Sequence, residues 1–291
     1  MTQEDHQIKS SLMGLETIWS ELDRFFSSFS DKDWSRKHGK EWTFADMPYH
    51  LAYFNQIVVQ GIRNHNGQQA KRTLQELNVW NDAQFANCFP AHTGANGLLH
   101  LHETQKALRD TAAQNPPDTP VFLPLIIVGG WRTLAYALEY ILNHTWLHFT
   151  ESHLRFHNRL PNLPPELVHQ ILRFSMETAA GALTPDDLAG LTLKTTLRLA
   201  GDGGGVWTFS MRGGKCEVIP ENVAQPDAVI ATDIATYLKT SLCGMQNPFI
   251  ALLTGKSRII GLNKARQFQK IFASTPSRVW QLVEEGRAAP E

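Results

Sequence analysis

GGWRTLAYALEYILNHTWLHF, residues 129–149, decides how this chain is read. Gly129 and Gly130 break whatever precedes them, and from Trp131 the apolar residues recur at three- and four-residue steps, which predicts a helix running to about His157. Its apolar stripe passes through Leu134, Ala137, Leu138, Ile141, Thr145 and Phe149. Two of the chain's 12 histidines, His144 and His148, stand four apart here, and a second such pair, His153 and His157, follows. Residues four apart lie about 40° apart on a helix, so the two rings of a pair reach one point. The midpoints of the two pairs are nine residues apart, about half a turn around the axis, so the pairs do not serve one site. His148 falls in the apolar stripe and His144 on its edge. His157 shares a face with Arg132, Glu139 and Asn143, with His153 between that face and the stripe, and this second pair reads as solvated.

Working towards the N-terminus, Ile8, Leu12, Leu15, Ile18, Trp19, Leu22 and Phe26 keep the same period and predict a first helix. A second is expected from Thr43, where Asp46 three residues on suggests a capping box and Pro48 bends the first turns. A third covers Leu98 to Gln114. Four long helices predict an up-down four-helix bundle. His50 flanks the second helix's stripe of Phe44, Met47, Leu51, Phe54 and Val58, so it too points towards a partner helix. His50, His144 and His148 would give three neutral nitrogens, a ligand set for zinc that leaves positions open for water or substrate. Glu151, about one turn beyond His148, would be a base or would orient a ligand. The plainer alternative is three half-buried histidines hydrogen-bonded to their neighbours.

Beyond this helix, NRLPNLPPE (residues 158–166) carries three prolines without apolar periodicity and reads as a linker, dividing the chain into domains at 1–160 and 161–291. After one further helix the pattern alternates: Leu191 to Leu199, Val206 to Met211, Lys215 to Ile219 and Ala228 to Thr232 read as strands. Helical segments follow near Ile234 to Cys243 and Lys264 to Ala273, so this half is α+β. GDGGG at 201–205 opens into another strand and not a helix, so it is a hairpin turn and no phosphate loop. His100 and His102, two apart on a helix, point to different faces.

Composition agrees with a folded chain: 291 residues, 42% hydrophobic and 19% charged. With 27 basic against 28 acidic residues and a net charge of −1, no sequence-wide field favours nucleic acid or an anionic membrane. The first residues lack a secretory signal and no apolar run approaches the roughly 20 residues of a membrane helix, so a cytoplasmic protein without membrane insertion is expected. Three widely spaced cysteines, Cys88, Cys216 and Cys243, suit reduced, structural thiols.

EWTFADMPYHLAYF (residues 41–54), LNVWNDAQFANC (77–88) and the opening stretch together resemble the DinB-like metal-binding bundle, a superfamily that includes the N-terminal domain of mycothiol-dependent maleylpyruvate isomerase and bacterial thiol transferases. The resemblance implies His50, His144 and His148 as metal ligands; some members have Glu at the His144 position. VWTFSMRGGKCEVIP and the run from QPDAVIATDIATYL to GKSRIIGLNKARQFQKIF resemble a sterol carrier protein type 2 domain over roughly residues 166–285. The same pairing of domains occurs in the maleylpyruvate isomerase family. What the pair implies is a metal-dependent thiol transferase or isomerase acting on an electrophilic small molecule. Its cofactors would be a divalent metal, zinc first with nickel, manganese or iron as alternatives, and a low-molecular-weight thiol, because no Cys lies near the three histidines in the sequence. An arginine of the second domain, Arg198, Arg212 or Arg258, would hold an anionic substrate, with Arg212 taken as the candidate. The competing function is a non-catalytic apolar-ligand or lipid binder lined by Trp207, Phe209, Tyr237, Leu238, Phe249 and Leu253, in which the metal is structural or vestigial; their ordinary alternative is a core. The sequence leaves the oligomeric state open.

Overall fold

The computed structural model describes residues 3–39, 42–63, 93–123 and 130–273. The stretch LNVWNDAQFANC with Cys88, and the last residues of the sterol-carrier-like match, lie outside them. The chain divides into two compact units, one up to Phe156 and one from His157.

The first unit contains α1 (Gln3–Ser27), the single turn α2 (Asp31–Trp34), α3 (Asp46–Arg63), α4 (Gly94–Gln114) and α5 (Leu134–His157). Leu15, Ile18 and Leu22 of α1, Tyr49, Ala52 and Val58 of α3, Leu101 and Leu108 of α4, and Leu134, Leu138 and Ile141 of α5 are fully buried. The residues of α1 and α5, with Val58 of α3, lie on the stripes the periodicity marks out, and burying such faces is what holds the helices in place. One end of the bundle is an aromatic cluster: Phe29 stacks on Phe156 at 4.6 Å, Phe26 stacks on Trp34 at 5.2 Å, and the Arg36 guanidinium lies 4.2 Å from the Phe156 ring centre.

Three local expectations are corrected. Residues 131–133 are not the first turn of α5 but part of a strand, β2 (Gly130–Thr133), paired antiparallel with β1 (Pro120–Leu123). The helix starts at Leu134, whose N–H is taken by Thr119 O, and Thr133 Oγ1 accepts the N–H of Tyr136, so the threonine acts as the cap. The hairpin packs on α3, where a Cβ on Gly61 would stand 2.6 Å from Phe122 O; only glycine permits that approach. Secondly, α3 begins at Asp46 and not Thr43. Asp46 Oδ2 accepts from the Thr43 N–H (2.6 Å) and hydroxyl (2.7 Å), closing the turn ahead of the helix, and Pro48 sits in the first turn, where no N–H is needed. Thirdly, Glu139, read as part of a solvated face, is only 6% exposed, because α1 covers it and Gln7 Nε2 donates to its carboxylate.

The second unit starts with α6 (Pro165–Gly181) and builds a five-stranded mixed sheet in the order β5-β4-β3-β6-β7. The strands are β3 (Leu193–Ala200), β4 (Gly205–Arg212), β5 (Lys215–Ile219), β6 (Ala228–Asp233) and β7 (Ser257–Ile260), with β3 and β6 parallel and the other neighbours antiparallel. The 201–205 segment is the β3–β4 hairpin turn as expected, and Gly213 and Gly214, both at positive φ, make the β4–β5 turn. The helix expected over Ile234 to Cys243 is a short α7 (Ile234–Tyr237) continued by a π-helical turn (Leu238–Leu242). α8 (Pro248–Leu253) and β7 had no counterpart in the sequence reading, and α9 (Leu262–Ala273) begins two residues early. A helical region followed by a mixed sheet with helices is the multidomain order that the sequence indicates.

Candidate metal centre

α3 carries His50 and α5 carries His144 and His148 one turn apart. The three Nε2 atoms converge, with His50 Nε2 3.1 Å from His144 Nε2 and 3.1 Å from His148 Nε2. His50 is 8% and His144 7% exposed, while His148 keeps one side towards solvent. Among the described residues this is the single group of three potential ligands within 4.8 Å of one another.

Hydrogen bonding alone does not account for the cluster. A neutral imidazole nitrogen carries either one proton or one lone pair in the ring plane, so His50 Nε2 satisfies one of its two neighbours and not both. Nitrogens bonded to one ion at about 2.1 Å stand about 3.0 Å apart at a right angle and about 3.4 Å apart at the tetrahedral angle, and both observed separations of 3.1 Å fall in that interval. Burial, reinforced by the neighbouring rings, pushes His50 and His144 well below the usual histidine value, which keeps both neutral and ready to ligate at pH 7. The residues therefore fit a divalent ion.

The rings are held by their surroundings. Phe54 stacks on His144 at 3.8 Å with the planes 16° apart, and Trp42 and Phe54 flank His50 at 4.8 and 4.7 Å. Glu151 Oε2 lies 3.6 Å from His148 Nδ1, and its Oε1 accepts from Arg155 Nε (2.9 Å) and Nη2 (2.7 Å). Burial would raise the Glu151 carboxyl, but His148 and Arg155 outweigh it and the net shift is downward. A carboxylate so committed is poised to orient a ligand more than to take a proton. Sequence reasoning missed His38, which is 3% exposed with Nε2 2.9 Å from Ser152 Oγ on α5. Desolvation lowers it to about 4. It sits in a loop without periodicity, so no pattern in the sequence marks it.

The other candidates fall elsewhere. His153 is half-buried against Phe25 at 5.3 Å and His157 is exposed. Arg212 is exposed at the end of β4, opposite Lys215, and Arg198 donates to Asn222 Oδ1 at 2.9 Å. Trp207 and Phe209 are buried in the second unit, where Phe209 packs on Phe268 and Phe272, and Leu238 is fully buried. Tyr237 is half-buried, whereas Phe249 is 64% and Leu253 86% exposed, so these six residues do not share one enclosed environment. Of the described cysteines, Cys216 and Cys243, neither belongs to the unit that carries the three histidines, and burial pushes the Cys216 thiol up to about 12.

Comparison with known proteins places these features. Residues 15–152 match the model of the DinB superfamily. No curated protein matches the chain. Among solved structures, a mycothiol-dependent maleylpyruvate isomerase aligns over 82% of this chain and 88% of its own, with 12% identity and a TM-score of 0.52. A histidine-to-alanine mutant of that isomerase aligns over the same shares at 11% identity and a TM-score of 0.51. A conserved hypothetical protein from Thermus Thermophilus, described as possibly a sterol carrier protein, aligns over 39% of this chain and 85% of its own, with 17% identity and a TM-score of 0.25. At the first two identities the likeness is one of fold, and it extends across both units. Residues 15–152 of this chain, from within α1 to the last turns of α5, are a DinB superfamily domain.

Proposed function

We propose that the chain is a metal-dependent enzyme of the thiol transferase or maleylpyruvate isomerase type, with His50, His144 and His148 holding one open divalent ion. The observation that carries this is the convergence of three Nε2 atoms, with that of His50 3.1 Å from both others, an arrangement in which hydrogen bonding among neutral imidazoles satisfies one neighbour and not both. Zinc suits an all-nitrogen set best, with nickel, manganese or iron as alternatives. A bound ion would supply the charge that keeps a thiol or a water deprotonated near neutral pH. Glu151, fixed by Arg155, orients the His148 ring, and Phe54 and Trp42 exclude water from the other two rings. A small-molecule thiol is the proposed nucleophile; of the described cysteines, burial holds Cys216 protonated. The fold likeness to a mycothiol-dependent isomerase supports the same assignment. An electrophilic small molecule is the substrate class.

Elemental analysis of protein purified without a histidine tag tests the site. One ion per chain is expected, and a His148→Ala variant with unchanged circular dichroism should lose it. Full metal occupancy in that variant overturns the assignment.

A further inference from the structure

The net charge of −1 conceals a strong segregation. Between residues 234 and 273 there are six basic residues and no Asp or Glu. Within that stretch α8 turns an apolar stripe to solvent: Phe249, Ile250 and Leu253, at helical spacing, are 64%, 51% and 86% exposed, while Ala251 between them is buried. α8 packs against the π-helical turn and against β7, the outermost strand of the sheet. On β7 Arg258 and Ile260 alternate onto one exposed face, and Lys256 precedes them in the connecting turn. Exposed Leu262 then leads into α9 with its exposed Lys264 and Arg266.

We propose that this edge of the second unit, α8 with β7 and the start of α9, is a docking surface for an anionic lipid bilayer. A cluster of large apolar side chains in water marks an interaction surface. Side chains as exposed as Leu253 project from the surface and line no groove, which suits insertion into a headgroup layer, where no matching pocket is required. Cations beside the apolar residues meet anionic headgroups as the tip enters. A second copy docking through the same edge would bring like charges together. A nucleic acid would satisfy the cations but leave the aliphatic tip in water. The contact is interfacial, since no described helix is long and apolar enough to cross a membrane. This surface is independent of the three histidines.

The metal-loaded full chain is sedimented with vesicles of phosphatidylcholine alone and of equal parts phosphatidylcholine and phosphatidylserine. Each basic residue at an anionic surface contributes roughly fivefold to partition, so Lys256→Ser with Arg258→Ser should weaken binding to the mixed vesicles about 25-fold. Phe249→Ser with Leu253→Ser should weaken it at least about tenfold. All four side chains are exposed, and unchanged metal content and circular dichroism establish that the variants fold. Equal binding to both vesicle types, no binding to either, or variants that bind like the parent chain overturn the proposal. So does a nucleic-acid complex, or a dimer in sedimentation equilibrium, that the same substitutions abolish.

Discussion

Replacing Glu151 by Gln isolates the contribution of the residue behind the triad. The carboxylate lies 3.6 Å from His148 Nδ1, just beyond hydrogen-bond length, and is anchored by two bonds from Arg155. Outer partners of metal-bound histidines are worth about 10–100-fold in metal affinity, which is about 1.4–2.7 kcal/mol. The upper part of that range belongs to short, direct bonds, so the 3.6 Å separation places Glu151→Gln near the lower end, about tenfold. The loss is expected to sit in the imidazole and not in the fold, because Gln keeps the volume and one acceptor for Arg155. Competition against a chromophoric chelator measures the affinity, with the parent chain and Arg155→Met as references. The Arg155 variant should lose less, since its effect passes through the carboxylate. Affinity within twofold of the parent in Glu151→Gln refutes the role given to Glu151. A loss of all metal would show that Glu151 is itself a ligand and refute it equally.

Acid should weaken the metal-free bundle. Burial lowers His38 from 6.5 to about 4, so the unfolded chain binds more protons between those values; stability is full above pH 6.5 and falls as pH drops towards 4. Between pH 7 and pH 5 His38 alone costs about 2 kcal/mol, and native-state hydrogen exchange at α5 amides should show a shallower pH dependence in His38→Gln; identical dependence counts against it. Phe54→Ala should cost about 3–5 kcal/mol as a buried aromatic and also loosen His144, read as weaker metal binding in a chain that still folds. Gly61→Ala drives a Cβ into the β1 backbone and should destabilise the bundle by about 1–3 kcal/mol, measured by thermal unfolding.

Periodicity chose His144 and His148 over the second pair because only the first lies on the apolar stripe, and this rests on a single helix's geometry. The same argument failed for Glu139, since a helix's own pattern does not say that α1 will cover a polar position and offer Gln7 to it. It failed also at 131–133, where three residues expected in the first helical turn were captured by pairing with 120–122. His38 was invisible because a loop has no period, and the basic surface of the second unit was lost in a whole-chain sum.

By itself the sequence determined the helical and alternating halves, the inward faces of α3 and α5, and the residue types able to ligate a metal. These follow from the spacing of apolar side chains along one element, where neighbours in space are neighbours in sequence. Only the tertiary structure decided that His50 meets His144 and His148 at 3.1 Å and that Phe54 stacks on one ring. The histidine contacts join residues 94 and 98 positions apart, and the distance between two helices is fixed by how their whole faces pack, which no local pattern encodes.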